Sequence, residues 1–195
     1  ALRFPSFWWL GLMRFAGACA FPVMNTHMVA YAIDQGVPAS QAAAALGAVS
    51  VVSLAGRMST GVLCDRIGRA LTLTIMYASC ALAIGSLALL AATGSPLWLA
   101  LYVVLYGFSQ GSSGIVASAR AVDVFAGTSL GAISGWLALA TGPGEALGAW
   151  IGGEIFDVTG SYLPAFAVAV GALVAGVIAM WGVRPGPGRR DDRLG

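Results

Sequence analysis

Lysine is absent from this sequence, histidine occurs once, and charged residues of either sign make up 9% of its 195 residues. A soluble domain carries about 25% charge, and one of this size could not cover its surface with so few. The scarcity excludes a soluble enzyme, a disordered chain and a nucleic-acid binder. A net charge of +2 is too small to attract polyanions. Cysteine is scarce too. Cys19, Cys64 and Cys80 lie in or beside apolar runs, with no CxxC spacing and no neighbouring histidine. They offer neither a disulfide framework nor a zinc site, and they read as small buried hydrophobes. No metal or cofactor is expected. What fills the chain is apolar: 58% hydrophobic residues and 27 glycines, roughly 70% together against about 45–50% in a soluble domain.

A helix that crosses a bilayer needs about 20 apolar residues. Turn signals divide the chain into six such runs, at 7–33, 40–63, 70–92, 97–119, 129–152 and 163–183. The separators at 34–38, 65–69, 93–96, 120–127 and 157–162 hold Gly, Pro and charge, which end helices. The alternation of an outer-membrane barrel is missing. The expected fold is therefore all-α and polytopic: six transmembrane helices over residues 1–183, followed by a Gly-, Pro- and Arg-rich tail at 184–195 expected to be disordered. The first run is too long for a signal peptide. The chain has no initiator Met and opens almost directly into a helix, which predicts that more sequence precedes residue 1.

Arginine sets the orientation. Arg3, Arg66, Arg69, Arg120, Arg184, Arg189, Arg190 and Arg193 fall on one side of the spans, while the opposite loops carry Asp34, Glu154 and Asp157 without arginine. The positive-inside rule makes the first side cytoplasmic and places both termini there. The expected location is the cell (inner) membrane.

Three charges are left at membrane depth: Arg14, Arg57 and Glu145. Each costs about 2.5–3.5 kcal/mol on insertion scales unless it faces a bundle interior or a watery cavity. For the two arginines the alternative is snorkelling to the cytoplasmic face. At 100° per residue, Ser50, Ser53, Arg57, Thr60 and Cys64 share one arc of the second span. Tyr102, Tyr106, Ser109, Gln110, Ser113 and Arg120 share another in the fourth. Ser134, Thr141, Glu145, Gly148 and Gly152 share a third in the fifth span. Arg14, Phe21 and Asn25 lie together in the first, where Pro22 is expected to introduce a kink. The third and sixth spans carry no charge. The order polar, polar, plain thus occurs twice, as two three-helix repeats with lipid-facing third members would produce. The runs Gly127-Gly131-Gly135, Gly144-Gly148-Gly152 and Gly107-Gly111 suit close helix contact. The Gly142-Pro143-Gly144 stretch predicts a softened helix beside Glu145.

Between the second and third spans stands Gly61-Val62-Leu63-Cys64-Asp65-Arg66-Ile67-Gly68-Arg69-Ala70. It resembles the cytoplasmic loop motif of the major facilitator superfamily, Gly-x-Leu-Ala-Asp-Arg-x-Gly-Arg-Arg/Lys, with Ala70 in place of the last basic residue. Asp65 can pair there with Arg66, Arg69 or a neighbouring helix end at a cytoplasmic gate, and Gly68 permits the tight turn. The segments Thr26-His27-Met28-Val29-Ala30-Tyr31-Ala32-Ile33-Asp34-Gln35-Gly36, Gly56-Arg57 and Gly152-Gly153-Glu154-Ile155-Phe156-Asp157-Val158-Thr159-Gly160-Ser161-Tyr162 are similar to the monocarboxylate and oxalate/formate branch. The resemblance implies a twelve-helix carrier of which this chain matches the C-terminal six, partnered by an N-terminal six-helix half and the lipid bilayer.

That branch binds the substrate carboxylate through an arginine of its eighth helix, which corresponds to Arg57. Ser53 stands where animal monocarboxylate carriers put an Asp. The fifth span lacks the Lys that oxalate carriers add. One fixed cation suits a monoanion better than a dianion. The expectation is a secondary carrier, symporter or antiporter, for a small organic anion such as a monocarboxylate. Arg57, Ser53, Tyr106, Gln110, Asn25 and His27 are the candidate substrate contacts. A carboxyl drawn out of water holds its proton more tightly, which makes Glu145 the candidate for proton coupling. Two rival readings remain. Gly111-Ser112-Ser113-Gly114 matches the Gly-x-Ser-Gly of rhomboid proteases, although a later histidine to activate the serine is missing. A non-transporting membrane scaffold would account for the spans but not for the polar stripes.

Overall fold

Proline and glycine punctuate the chain as the turn signals predict. The computed structural model describes residues 4–125 and 130–184. Arg3, Gly127, Arg189, Arg190, Arg193 and all of the 184–195 tail except Arg184 lie outside the described residues. The elements are α1 (Pro5–Asp34), α2 (Ala39–Ile67), α3 (Arg69–Thr93), α4 (Pro96–Ser109), α5 (Ser112–Phe125), α6 (Leu130–Leu139), α7 (Thr141–Thr159) and α8 (Leu163–Gly182). Proline in the first turn starts α1, α4 and α8, where its missing N–H costs nothing. Gly94 and Gly160, both at φ +66°, close α3 and α7 in the left-handed conformation. α1 continues as one helix through Pro22.

Four helices (α1, α2, α3 and α8) and the α4–α5 run at 96–125 are long and apolar enough to cross a membrane. The fifth candidate, 129–152, divides into α6 and α7. α6 is about 15 Å long, too short alone, and α7 carries Glu145, Glu154 and Asp157. Ala140 between them keeps helical dihedrals, φ −69° and ψ −20°, and the joined run from 130 to 159 is about 45 Å long. The break thus falls just before the Gly142-Pro143-Gly144 stretch. The fourth candidate, expected as one helix over 97–119, is interrupted where nothing in its hydropathy announces it. Gln110 is extended at ψ 128° and Gly111 turns at φ +81°.

The packing has an internal symmetry. α1 lies mainly against α7 and α8, while α4 lies against α2 and α3, and α3 meets α8. The leading helix of each three-span unit therefore packs on the second and third members of the other unit. This is the repeat that the polar, polar, plain order suggests. Glycine sets the closeness of the two equivalent contacts. On α7, Gly144 faces Ala18 and the Phe15 carbonyl, Gly148 the Cys19 carbonyl, and Gly152 the His27 ring. Between α2 and α4, Gly56 meets the Phe108 carbonyl and Gly107 meets Val52. The third expected run behaves differently, since Gly131 and Gly135 have open space where a Cβ would stand.

Both ends of the bundle are tied. At one end the Ser6 hydroxyl donates to the Arg184 carbonyl at 3.1 Å, Arg120 donates to the Val183 carbonyl at 2.9 Å, and the Trp181 indole donates to Thr74 at 3.1 Å. At the other end the Tyr31 hydroxyl donates to the Leu87 carbonyl at 3.2 Å. Tyr162 stacks on Phe156 there at 4.2 Å, and Tyr31 packs edge-on against Phe166 at 5.0 Å.

A valine side chain at position 148 would collide with backbone of α1. Gly148→Val is therefore expected to lower stability by about 1–3 kcal/mol. Gly85→Ala, which meets nothing within 4 Å, should stay within about 0.5 kcal/mol. Thermal unfolding of the detergent-solubilised protein followed by tryptophan fluorescence checks both.

Candidate functional site

Four crossings turn polar side chains toward one cavity of about 410 Å³. α1 contributes Arg14, Asn25 and Thr26, α2 contributes Arg57, and α7 contributes Thr141 and Glu145. The break between α4 and α5 contributes Gln110 and Gly111, and Ser113 follows in the first turn of α5. Most of these positions lie near the midpoints of their helices. Gln110 and Gly111 interrupt the α4–α5 run, and Thr141 follows the α6–α7 junction at Ala140.

Arg57 sits one residue beyond Gly56, whose close contact with α4 brings α2 against the α4–α5 break. The buried face of α2 is Ala42, Ala45, Val49, Ser53, Gly56, Thr60 and Cys64. Most of the polar arc expected on α2 is therefore packing surface. Ser53 is 3% exposed and donates to the Ser50 carbonyl at 2.7 Å, so it does not line the cavity. Arg57 stands at the edge of this face, exposed to the cavity, with no hydrogen bond or ion pair among the described residues. Its guanidinium lies over Gly111, where a Cβ would come within 2.7 Å of Nε. Gly111 is thus glycine for two reasons: its φ of +81° and the arginine above it.

Arg14 faces the same cavity and does not snorkel. Its Nε and Nη2 donate to the Thr141 hydroxyl at 3.3 and 3.1 Å, and Nη1 reaches toward Gly114. Thr141 stands one turn before Glu145 on α7, and both Arg14 and Glu145 open on the shared space. The cavity therefore holds two fixed cations, and the inference from one cation to a monoanion loses its premise.

Asn25 and Gln110 form a neutral polar wall. Asn25 Oδ1 accepts from Gln110 Nε2 at 3.0 Å and from the Tyr106 hydroxyl at 2.9 Å. Tyr106 is fully buried and divides its single proton between Asn25 and the Phe21 carbonyl at 3.0 Å. It supports the wall from behind and does not line the cavity. His27 lies outside the lining as well. Its Nε2 meets the Ala149 carbonyl at 3.0 Å and its ring packs on Tyr162 at 5.3 Å, which fastens α1 to α7. Ser113 opens on the cavity, but among the described residues no hydrogen bond joins it to His27. The Ser112 hydroxyl donates to the Ser109 carbonyl at 2.6 Å.

At the arginine-rich end, Gly68 makes the turn between α2 and α3 at φ +86°. Arg69 is the centre of the local charges. Its Nη1 donates to the Cys64 carbonyl at 2.7 Å and lies 3.6 Å from Asp65, while Nε is 3.0 Å from Asp123 on α5. Nε is off-line for a hydrogen bond to Asp123, so that contact is mainly Coulombic. Asp65 is 79% exposed against 21% for Asp123, and the Asp123 contact is the less screened of the two. Arg66 is exposed in the last turn of α2, and Gly61 has open space beside it.

Sequence reasoning missed Asp123, placed Thr141 on the polar arc of the fifth span and Gly111 in a packing run without assigning either to the site, and left the direction of Arg14 open. Asp123 could have been found as the acidic residue among arginines in its stretch.

Residues 1–140 match the family described as Major Facilitator Superfamily. A search of curated proteins gave no match.

Alanine at position 111 must both adopt a left-handed backbone and displace Arg57. Gly111→Ala is expected to lower stability by about 1–2 kcal/mol. Gly114→Ala, where a Cβ meets Arg14 only at 3.9 Å, is expected to fold normally. Thermal unfolding of the two variants side by side measures the difference.

Proposed function

The chain belongs to the major facilitator superfamily, and on that premise we propose that it forms one wall of a secondary carrier for small organic anions. Members of this family are membrane transporters, and the apolar helices make the chain a multi-pass membrane protein. The observation that carries the anion reading is Arg57, a guanidinium without an internal partner that opens on a mid-depth cavity. A carboxylate is the group assigned to it, since planar guanidinium and planar carboxylate match in two parallel hydrogen bonds. The monocarboxylate expected from the sequence needs only this arm. Glu145 shares the cavity and is the group assigned to proton coupling, through symport or antiport.

A second six-helix bundle is part of the proposal. Asn25, Arg57 and Glu145 are exposed on this chain, and lipid is a costly neighbour for them. An N-terminal half closing the cavity from the other side removes that cost and supplies the body against which this one rocks. Arg66, Arg69, Arg120 and Arg184 mark the cytoplasmic end under the positive-inside rule, which puts both termini of the chain in the cytoplasm of a cell with this protein in its inner membrane. The Arg69–Asp123 contact then belongs to the cytoplasmic gate.

Uptake into liposomes holding the complete gene product tests the reading. Arg57→Gln should abolish uptake of small carboxylates, and undiminished uptake would remove Arg57 from the site. Glu145→Gln should keep exchange but lose accumulation driven by a pH gradient, and full accumulation in that variant would assign coupling elsewhere.

A further inference from the structure

We propose that Arg14 is a second anion-binding arm, and that the carrier prefers a solute with two anionic groups about one helical turn apart. This rests on the anion-carrier reading above and names its substrate class. The two guanidiniums stand over the same short stretch of chain, Arg57 against Gly111 and Arg14 toward Gly114. Gly111, in the turn before α5, and Gly114, in its first turn, are three residues apart. The absence of a Cβ at Gly111 leaves room for the Arg57 guanidinium.

Arg14 is built for this position. Thr141 anchors one edge of its guanidinium through two hydrogen bonds to a neutral oxygen, which fixes the direction of the group without neutralising it. Among the described residues neither Arg14 nor Arg57 has a carboxylate within ion-pair distance; both such ion pairs are at Arg69. Glu145 lines the same cavity, so two guanidiniums and one carboxylate leave it a net positive charge, which an anion bridging the two arms offsets. Asn25 and Gln110 add neutral donors and acceptors along the wall between the arms. A four-carbon dicarboxylate has the required spacing.

Radiolabelled succinate and butyrate, of equal chain length and different charge, are the probes, with the complete gene product in liposomes. Succinate is expected to bind about tenfold more tightly than butyrate. Arg14→Gln should weaken succinate about tenfold and leave butyrate within about threefold, while Arg14→Lys should retain part of the preference. Arg57→Gln should lose both probes. Thr141→Val keeps the charge but frees the arm, and should lower the ratio of succinate to butyrate affinity; it reads the same arm where Arg14→Gln does not fold. Unchanged succinate binding in Arg14→Gln, or equal loss of both probes in Arg14→Gln and Thr141→Val, overturns the second arm. Preference of the wild-type carrier for butyrate, lost in Arg57→Gln, overturns the two-headed class and leaves the anion carrier standing. Absence of binding of either probe overturns both.

Discussion

A charge in the middle of a bilayer must be turned away from lipid, at a cost otherwise of about 2.5–3.5 kcal/mol for each group. This chain carries three of them on three different helices, Arg14 on α1, Arg57 on α2 and Glu145 on α7. They can be relieved together only if those helices present the same side to one space. That requirement sets the rotation of α1, α2 and α7. The remaining faces are then free to be apolar, as in the exposed series Leu71, Ile75, Leu82 and Leu89 on α3 and Val174, Ile178 and Trp181 on α8. Neither α3 nor α8 contributes to the cavity lining.

Bringing four helices to one cavity requires their axes to approach closely, and inside a membrane no hydrophobic gain drives that approach. Gly144, Gly148 and Gly152 permit it between α7 and α1, and Gly56 and Gly107 permit it between α2 and α4. The same close approach brings Arg57 within reach of the α4–α5 break. A larger residue at Gly56 would therefore act on the site through the distance between helices, without touching the cavity.

The spans were legible because length and hydropathy are collective properties, averaged over some twenty residues. The repeat was legible because charge is so rare that its presence or absence marks each span. The two interruptions were harder to read. Gln110 and Gly111 interrupt a run of high mean hydropathy, and Arg57, some fifty positions away in sequence, lies against Gly111. Ser53 fell on the correct wheel arc, yet its hydroxyl is satisfied within its own helix. An arc resolves the side of a helix and cannot tell a packing face from the cavity at its edge. Arg14 was undecided for a related reason, because an arginine at that depth can bend toward either side. Thr141, from another helix, decides the direction.

The ties at the two ends of the bundle bear on how such a wall can move. One end is held by Ser6 to Arg184, Arg120 to Val183 and Arg69 to Asp123, and the other by Tyr31 to Leu87 and the rings around Tyr162. All but the Phe156–Tyr162 stack, which joins consecutive helices, link segments distant in sequence. The middle is different. It holds the α4–α5 break, the α6–α7 junction and the cavity. A body fastened at both ends and interrupted at its centre transmits a tilt as a unit while allowing small local adjustment around a bound solute. That combination is what a wall in alternating access requires. On the proposed reading, the mechanical demand falls on the terminal ties and the chemical demand on Arg14, Arg57 and Glu145.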